Sequence, residues 1–356
     1  MKRMDFFLFF LILALVFFGL LMIYDASSFI AFRDFSDKYH YIRDQFTWVI
    51  LGIVGMITCS FFDYRRLQIL AVPVMTAAIM LLILVFIPGI GVYALGANRW
   101  INAHFFILQP AEYVKLALAI YLAAWFSSKE KKKVLPFVLL VGFVVLLVML
   151  EPDMGTTVII FSEAMVIYFL AGGSISHFFY GFPVVALLAG FMVFFEPYRL
   201  QRLTSFFNID DSLSQTSYHV KQILIALGMG GVTGVGLGNS LQKYAYLPEN
   251  ATDSIFAIIA EELGFVGSAV LIGVFLLIIW RGFLISQLAP DKFGKLLAGG
   301  IISFIAVQTL INIGAQTALF PLTGIPLPFV SYGGSSLVIN MCAIGILLNI
   351  SRRAKT

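Results

Sequence analysis

The residues of this chain that could do chemistry are ionisable groups set beside hydrocarbon. In YLPENATDSIFAIIAEELG (246–264), Glu249, Asp253, Glu261 and Glu262 lie in or next to an apolar run that continues to Trp280. In QPAEYVKLALAIYLAAW (109–125), Glu112 and Lys115 are spaced i, i+3, so they share one helix face and can pair. Asp153 follows a proline in EPDMGT (151–156), and Glu163 falls about three turns deeper. Charge at membrane depth is expensive, so such groups are kept for moving protons, for meeting a charged ligand, or for pairing with one another.

Each also has a purely structural reading. Glu112 and Lys115 could be a salt bridge that locks one helix to its neighbours, and Asp153 could cap the helix that follows it. Asp253 stands where an apolar span begins, a place where aspartate caps orphan N–H groups and suits the helix dipole. Taken alone, the residues favour that reading. Glu261 and Glu262 read as struts that hold helices together through hydrogen bonds, and Glu163 as a buried hydrogen-bonding residue. The sequon at Asn250 is a short pattern with a high chance rate. No HExxH, Walker loop, GxSxG or CxxC is present, and His40, His104, His177 and His219 have no metal-ligand spacing.

The elements that must position these groups are membrane helices. With 60% hydrophobic residues, 12% charged ones and a mean hydropathy of +0.97, the chain excludes a soluble globular domain. Apolar runs near the ~20 residues that cross a bilayer recur along its whole length. The expected spans are 5–24, 45–62, 67–88, 106–126, 134–150, 154–172, 178–196, 254–280, 296–319 and 333–350. The fold class is therefore an all-α integral membrane protein of about ten helices, a single polytopic domain over 1–356 without internal repeats. The first run lacks a convincing small-residue cleavage site and reads as a retained helix. Cys59 and Cys342 make neither a disulfide framework nor a metal site, and the net charge of +4 reflects loop residues rather than nucleic-acid binding.

With both termini cytoplasmic, 14 lysines and arginines lie at cytoplasmic ends and 8 on the opposite side, with Lys115 inside a span. The sharpest marker is SSKEKKK (127–133). That places a large extracytoplasmic loop, 197–253, between helices 7 and 8, with loops 89–105 and 320–332 on the same side. FPLTGIPLPFVSYGGSS (320–336) holds too many prolines and glycines for a regular helix. Such backbone is tolerated at membrane depth only inside protein or beside a water-filled cavity. A cavity open to the outer face is therefore expected.

GANRWI (96–101), QPAE with Lys115, EPDMGTT, GVGLGNSLQKYAYLPENATDSIFAIIAEELGFVG and TGIPLPFVSYGGSS resemble, in order, the motifs of the SEDS family (shape, elongation, division and sporulation). The run GLGNSLQKYAYLPE is closer to its division branch, FtsW, and the sporulation relative SpoVE than to the elongation branch, RodA. The chain departs from the family pattern at Ala111 (QPSE), Glu151 (QPD) and Ala251–Ser254 (His-Thr-Asp-Phe).

The resemblance implies a peptidoglycan glycosyltransferase of the bacterial cytoplasmic membrane that polymerises lipid II into β-1,4 strands at the outer face for septal synthesis. It implies Asp253 as the catalytic residue, taking the proton of the acceptor hydroxyl, and so overturns the cap reading. The outer loop 197–253 would carry the active site. Arg99, Lys115 and Lys243 are its candidates for the leaving pyrophosphate, with a divalent cation (Mg2+ or Mn2+) as an addition. Glu112, Asp153, Glu249, Ser331 and Ser335 are substrate-binding or supporting candidates. The implied partners are a class B penicillin-binding protein, a transpeptidase, and other divisome membrane proteins. Lipid II flipping and elongation-type polymerisation are the alternatives.

Overall fold

The computed structural model describes residues 4–94, 97–102, 107–128, 134–174, 176–177, 215–244 and 246–354. Helices α1 (Phe6–Phe35), α2 (His40–Phe61) and α3 (Tyr64–Leu84) come first. A small antiparallel sheet follows, β1 (Gly91–Ala94), β2 (Ala97–Asn102) and β3 (Ile107–Leu108) in that spatial order. Then come α4 (Pro110–Ser127), α5 (Val134–Leu150), α6 (Met154–Leu170), α7 (Gln215–Gly230), α8 (Ile255–Leu288), α9 (Lys292–Gln316) and α10 (Gly334–Ser351). Nine of the expected spans fall on these helices, and the tenth, 178–196, lies outside the described residues, as do 129–133 and 197–214. Among the described residues, six helices are long and apolar enough to cross a membrane, and α5 and α6 are shorter apolar helices. The class is all-α, as the hydropathy implies.

Two expected loops carry structure. The segment 89–105 contributes to the sheet, with Val92 opposite Trp100 and Ile101 opposite Leu108. The loop 197–253 contains α7, whose Val220, Ile223 and Ala226 are buried at helical spacing on the side packed against α8. Both elements are too short, and too mixed in polarity, to stand out in a scan for bilayer-length runs.

Burial sorts the helices by depth. Most of α9 and α10 is inside the bundle, whereas α3 exposes Ile69, Val72 and Met80 as a lipid-facing surface would. The longest helix, α8, is broken at Gly264, which has φ 67°. A break frees carbonyls that the helix would otherwise use, and the glycine-rich turns after α7 take them up. Val235 N donates to Glu261 O and Gly236 N to Glu262 O, both at 3.0 Å. Backbones come so close here that a Cβ at Gly264 would sit 2.3 Å from Gly234 N, which is why glycine occupies both positions.

Ion pairs and one hydrogen bond join helix ends that the charge bias assigns to the same side. Asp5–Arg281 (2.8 Å), Asp63–Arg353 (3.0 Å) and Asp291–Arg65 (3.2 Å) tie together ends expected to be cytoplasmic. Lys243–Asp25 and Tyr332–Asp44 tie together ends expected outside. We propose the corresponding orientation. In a background lacking Cys59 and Cys342, a Ser128→Cys variant should resist an impermeant thiol reagent added to intact cells and react after lysis. Labelling from outside would invert the assignment.

Candidate active site

Asp253 ends a tight turn before α8. Thr252 N and Ser254 N both donate to Glu249 O, at 3.2 and 3.1 Å, and Glu249 takes a left-handed φ of 49° to close the turn. The N-cap position belongs to Ser254, whose hydroxyl lies 2.7 Å from His219 Nε2 on α7. Asp253 itself is half-buried, and Thr252 Oγ1 stands 3.3 Å from its Oδ1 and 2.9 Å from Glu249 Oε2. It borders a narrow crevice, too tight to admit a water molecule, between Asn312 and Gln316 of α9 and the non-helical stretch Leu322–Ile325. A larger cavity, about 360 Å³, lies among Phe6, Arg281 and Leu288 at the far end of α8 and has none of these groups.

The other motifs converge on the same end of the bundle. Asp153 caps α6, accepting from Thr156 N (3.0 Å) and Thr156 Oγ1 (2.8 Å), and also accepts from Gln109 Nε2 at 3.3 Å. Gln109 N donates to Ser335 Oγ, which in turn donates to Ile107 O. Arg99 reaches from β2 to the α5–α6 turn, donating to the carbonyls of Glu151 and Pro152. Gly155 lets that turn approach the cleft wall, since a Cβ there would lie 2.3 Å from Ile325. Asp153, Arg99 and Ser335 thus knit the site together, a supporting role.

Three of the expected site residues have partners within the chain itself. Lys115 is fully buried; its Nζ lies 2.7 Å from Glu112 Oε2 and donates to Gln308 Oε1 at 2.8 Å. The Glu112 contact is an ion pair whose angles fall outside hydrogen-bond geometry. Lys243 is 5% exposed and bonds Asp25 Oδ1 (2.8 Å) and Glu262 Oε1 (3.0 Å). Each lysine is engaged by carboxylates of the chain itself, Glu112 for Lys115 and Asp25 with Glu262 for Lys243, which compensates the charge it carries. Ser331 is turned inward, its Oγ accepting from Leu327 N at 2.7 Å to close the 327–331 turn.

Glu261 and Glu262 are struts, as expected. Glu261 accepts from Ser240 Oγ and Leu241 N, and Glu262 from Ser240 N, so both staple the 240–243 turn to α8. Glu163 is buried, but neither of its oxygens has a hydrogen-bond partner among the described residues. Asn250 is buried too, its amide donating to Ala26 O and Lys243 O, which leaves no room for a glycan. The residues missed from sequence are Gln308, Asn312 and Gln316, three carboxamides one turn apart on α9 that all point at the site. The signal was their i, i+4, i+8 spacing in an apolar helix. No group of three metal-ligand side chains converges among the described residues, and the Asp153 oxygens are taken, so no step is routed through a cation.

Glu151 is fully buried with both carboxyl oxygens unpaired, and its pKa is pushed up to about 9 by burial, helped by Asp153 and opposed by Arg99. It therefore holds its proton at neutral pH and stands in as a near-isostere of the glutamine in the family pattern. Because the folded value lies above the ordinary 4.5, stability falls as pH rises from about 4.5 to about 9 and levels off beyond. Glu151→Gln should match wild type in thermal melts at pH 4.5 and exceed it at pH 9; parallel curves would refute this.

The chain matches the FTSW_RODA_SPOVE family model, described as "Cell cycle protein", over residues 6–356. It is 40% identical to the stage V sporulation protein E of Bacillus subtilis over 345 residues, 95% of this chain and 94% of that protein. The probable peptidoglycan glycosyltransferase FtsW of Geobacter metallireducens is 37% identical, covering 99% of this chain and 96% of that one. Among solved structures, a chain from work on structural coordination of polymerization and crosslinking by a peptidoglycan synthase complex superposes with a TM-score of 0.81. Its identity is 27%, and 98% of each chain is covered. The rod shape determining protein RodA of Thermus thermophilus gives a TM-score of 0.73 at 26% identity, covering 99% of this chain and 98% of that one.

Proposed function

The chain belongs to the FtsW/RodA/SpoVE family of cell cycle proteins, and on that premise we infer that it is a peptidoglycan glycosyltransferase that polymerises lipid II. The observation that carries the reading to a residue is the half-buried carboxylate of Asp253 on a turn clamped at the mouth of a cleft. A sugar hydroxyl is a poor nucleophile near neutral pH, so a carboxylate within hydrogen-bond reach is the minimal requirement for attack. Asp253 takes the proton of the acceptor's GlcNAc 4-hydroxyl as its oxygen bonds to the anomeric carbon of the strand's MurNAc. The lipid pyrophosphate leaves with the electron pair of the broken bond. Of the three cations named for that leaving group, only Arg99 lies outside an ion pair among the described residues, held instead on the carbonyls of Glu151 and Pro152, and we assign it to the pyrophosphate. Confinement of both lipid-tailed substrates to the membrane supplies much of the positioning.

The partner is a class B penicillin-binding protein within the divisome, a reading supported by the likeness to a chain of a polymerising and crosslinking synthase complex. The place of action is the outer face of the cytoplasmic membrane at the division septum, supported by the FtsW and sporulation relatives. A single displacement inverts the anomeric centre, so a β-1,4 product and no adduct on Asp253 are expected. Digestion of the product by a β-1,4-specific muramidase, with intact-mass measurement of enzyme quenched during turnover, tests this. A glycosyl adduct on Asp253 would make it a nucleophile instead.

A further inference from the structure

We propose that Asn312 and Gln316 are positioning residues for Asp253, an inference that rests on its reading as the base. Both carboxamides are buried, 2% and 1% exposed, and their i, i+4 spacing puts them on one face of α9. Gln316 Nε2 donates to Asp253 O at 2.7 Å, and Asn312 Nδ2 donates to the same oxygen at 3.0 Å. The N–H of that same peptide unit, on Ser254, donates to Glu249 O at 3.1 Å. The peptide bond that follows Asp253 is therefore gripped at both ends. Its carboxylate leaves a backbone that cannot turn, and only side-chain torsions remain to aim it.

The same two side chains hold the rest of the cleft. Gln316 Oε1 accepts from Ala257 N at 2.7 Å, supplying the first turn of α8 with a cap that Ser254 does not give. Asn312 Nδ2 also donates to Ile325 O at 2.7 Å, and its Oδ1 accepts from Gln316 Nε2 at 2.8 Å. One turn earlier, Gln308 bonds Pro326 O and the Lys115 ammonium. A single row of carboxamides thus fixes the base relative to the opposite cleft wall. Reacting groups need placement to within about 1 Å, and a displacement of that size can lower a rate about 100-fold.

The test uses purified full-length chain in detergent, with initial rates measured over a range of lipid II concentrations. Gln316→Met keeps the side chain's length but removes its donor and acceptor. We expect kcat to fall about 10–100-fold with KM changed less than about twofold, in protein that stays monodisperse. In an Asp253→Asn background the same substitution should lower the residual rate no further, because there is no base left to aim. Unchanged kcat per folded molecule, or the full loss repeated in the Asp253→Asn background, would overturn the proposal. If Gln316→Met is not recovered folded, Gln316→Asn, a carboxamide shorter by one methylene, carries the same two comparisons. Should Asp253→Asn itself polymerise at the wild-type rate, the base assignment fails; a wild-type kcat in Gln316 variants alone removes only the positioning role.

Discussion

Asp253→Asn should polymerise lipid II roughly 10²–10⁴-fold more slowly than the wild type, the range typical of losing general base catalysis. Asparagine keeps the shape of the side chain and caps a helix about as well as aspartate. It cannot take a proton at neutral pH. The turn itself depends on bonds to main-chain oxygens, from Ser254 N to Glu249 O and from the Asn312 and Gln316 amides to Asp253 O, none of which involves the carboxylate. Folding, membrane insertion and transpeptidase binding should therefore survive. The measurement is the initial rate of glycan formation by monodisperse protein, beside a pull-down of the partner. A well-folded variant at near wild-type rate would pass attention to Glu249, the exposed carboxylate four positions upstream on the same turn.

The second large effect concerns the buried pair on α4. Removing one partner of a buried ion pair typically destabilises by about 3–5 kcal/mol, because the other charge is left uncompensated. Replacing both with apolar residues of similar volume is often close to neutral. Lys115→Met should thus lower the melting temperature in detergent markedly, and Lys115→Met with Glu112→Leu should recover much of that loss. Gln308 Oε1 loses its donor in either case, so recovery should be incomplete. Additive losses in the double variant would show that the two charges do not depend on each other.

Much of this architecture is legible in the chain because bilayer-length apolar runs are a coarse signal that survives any detail of packing. The i, i+3 spacing of Glu112 and Lys115 gave their ion pair directly, since a helix brings such positions together whatever surrounds it. The lysines' remaining partners were not readable. Lys115 bonds a residue 193 positions away and Lys243 one 218 positions away, so only the tertiary fold could show that both are engaged. The sheet at 91–108 and helix α7 escaped because short elements of mixed polarity leave no bilayer-length run. The carboxamide row on α9 escaped for another reason. Amides at membrane depth carry no charge, so they do not draw the eye as Asp253 does, yet they need hydrogen-bond partners as strictly.

Purified chain, reconstituted in vesicles with a class B transpeptidase and fluorescent lipid II, is the most direct test that this fold polymerises rather than transports. Glycan chains lengthening with time are expected from the wild type and should be nearly absent from Asp253→Asn. Transfer of labelled lipid II between leaflets, with no glycan formed by well-folded wild-type protein, would contradict it.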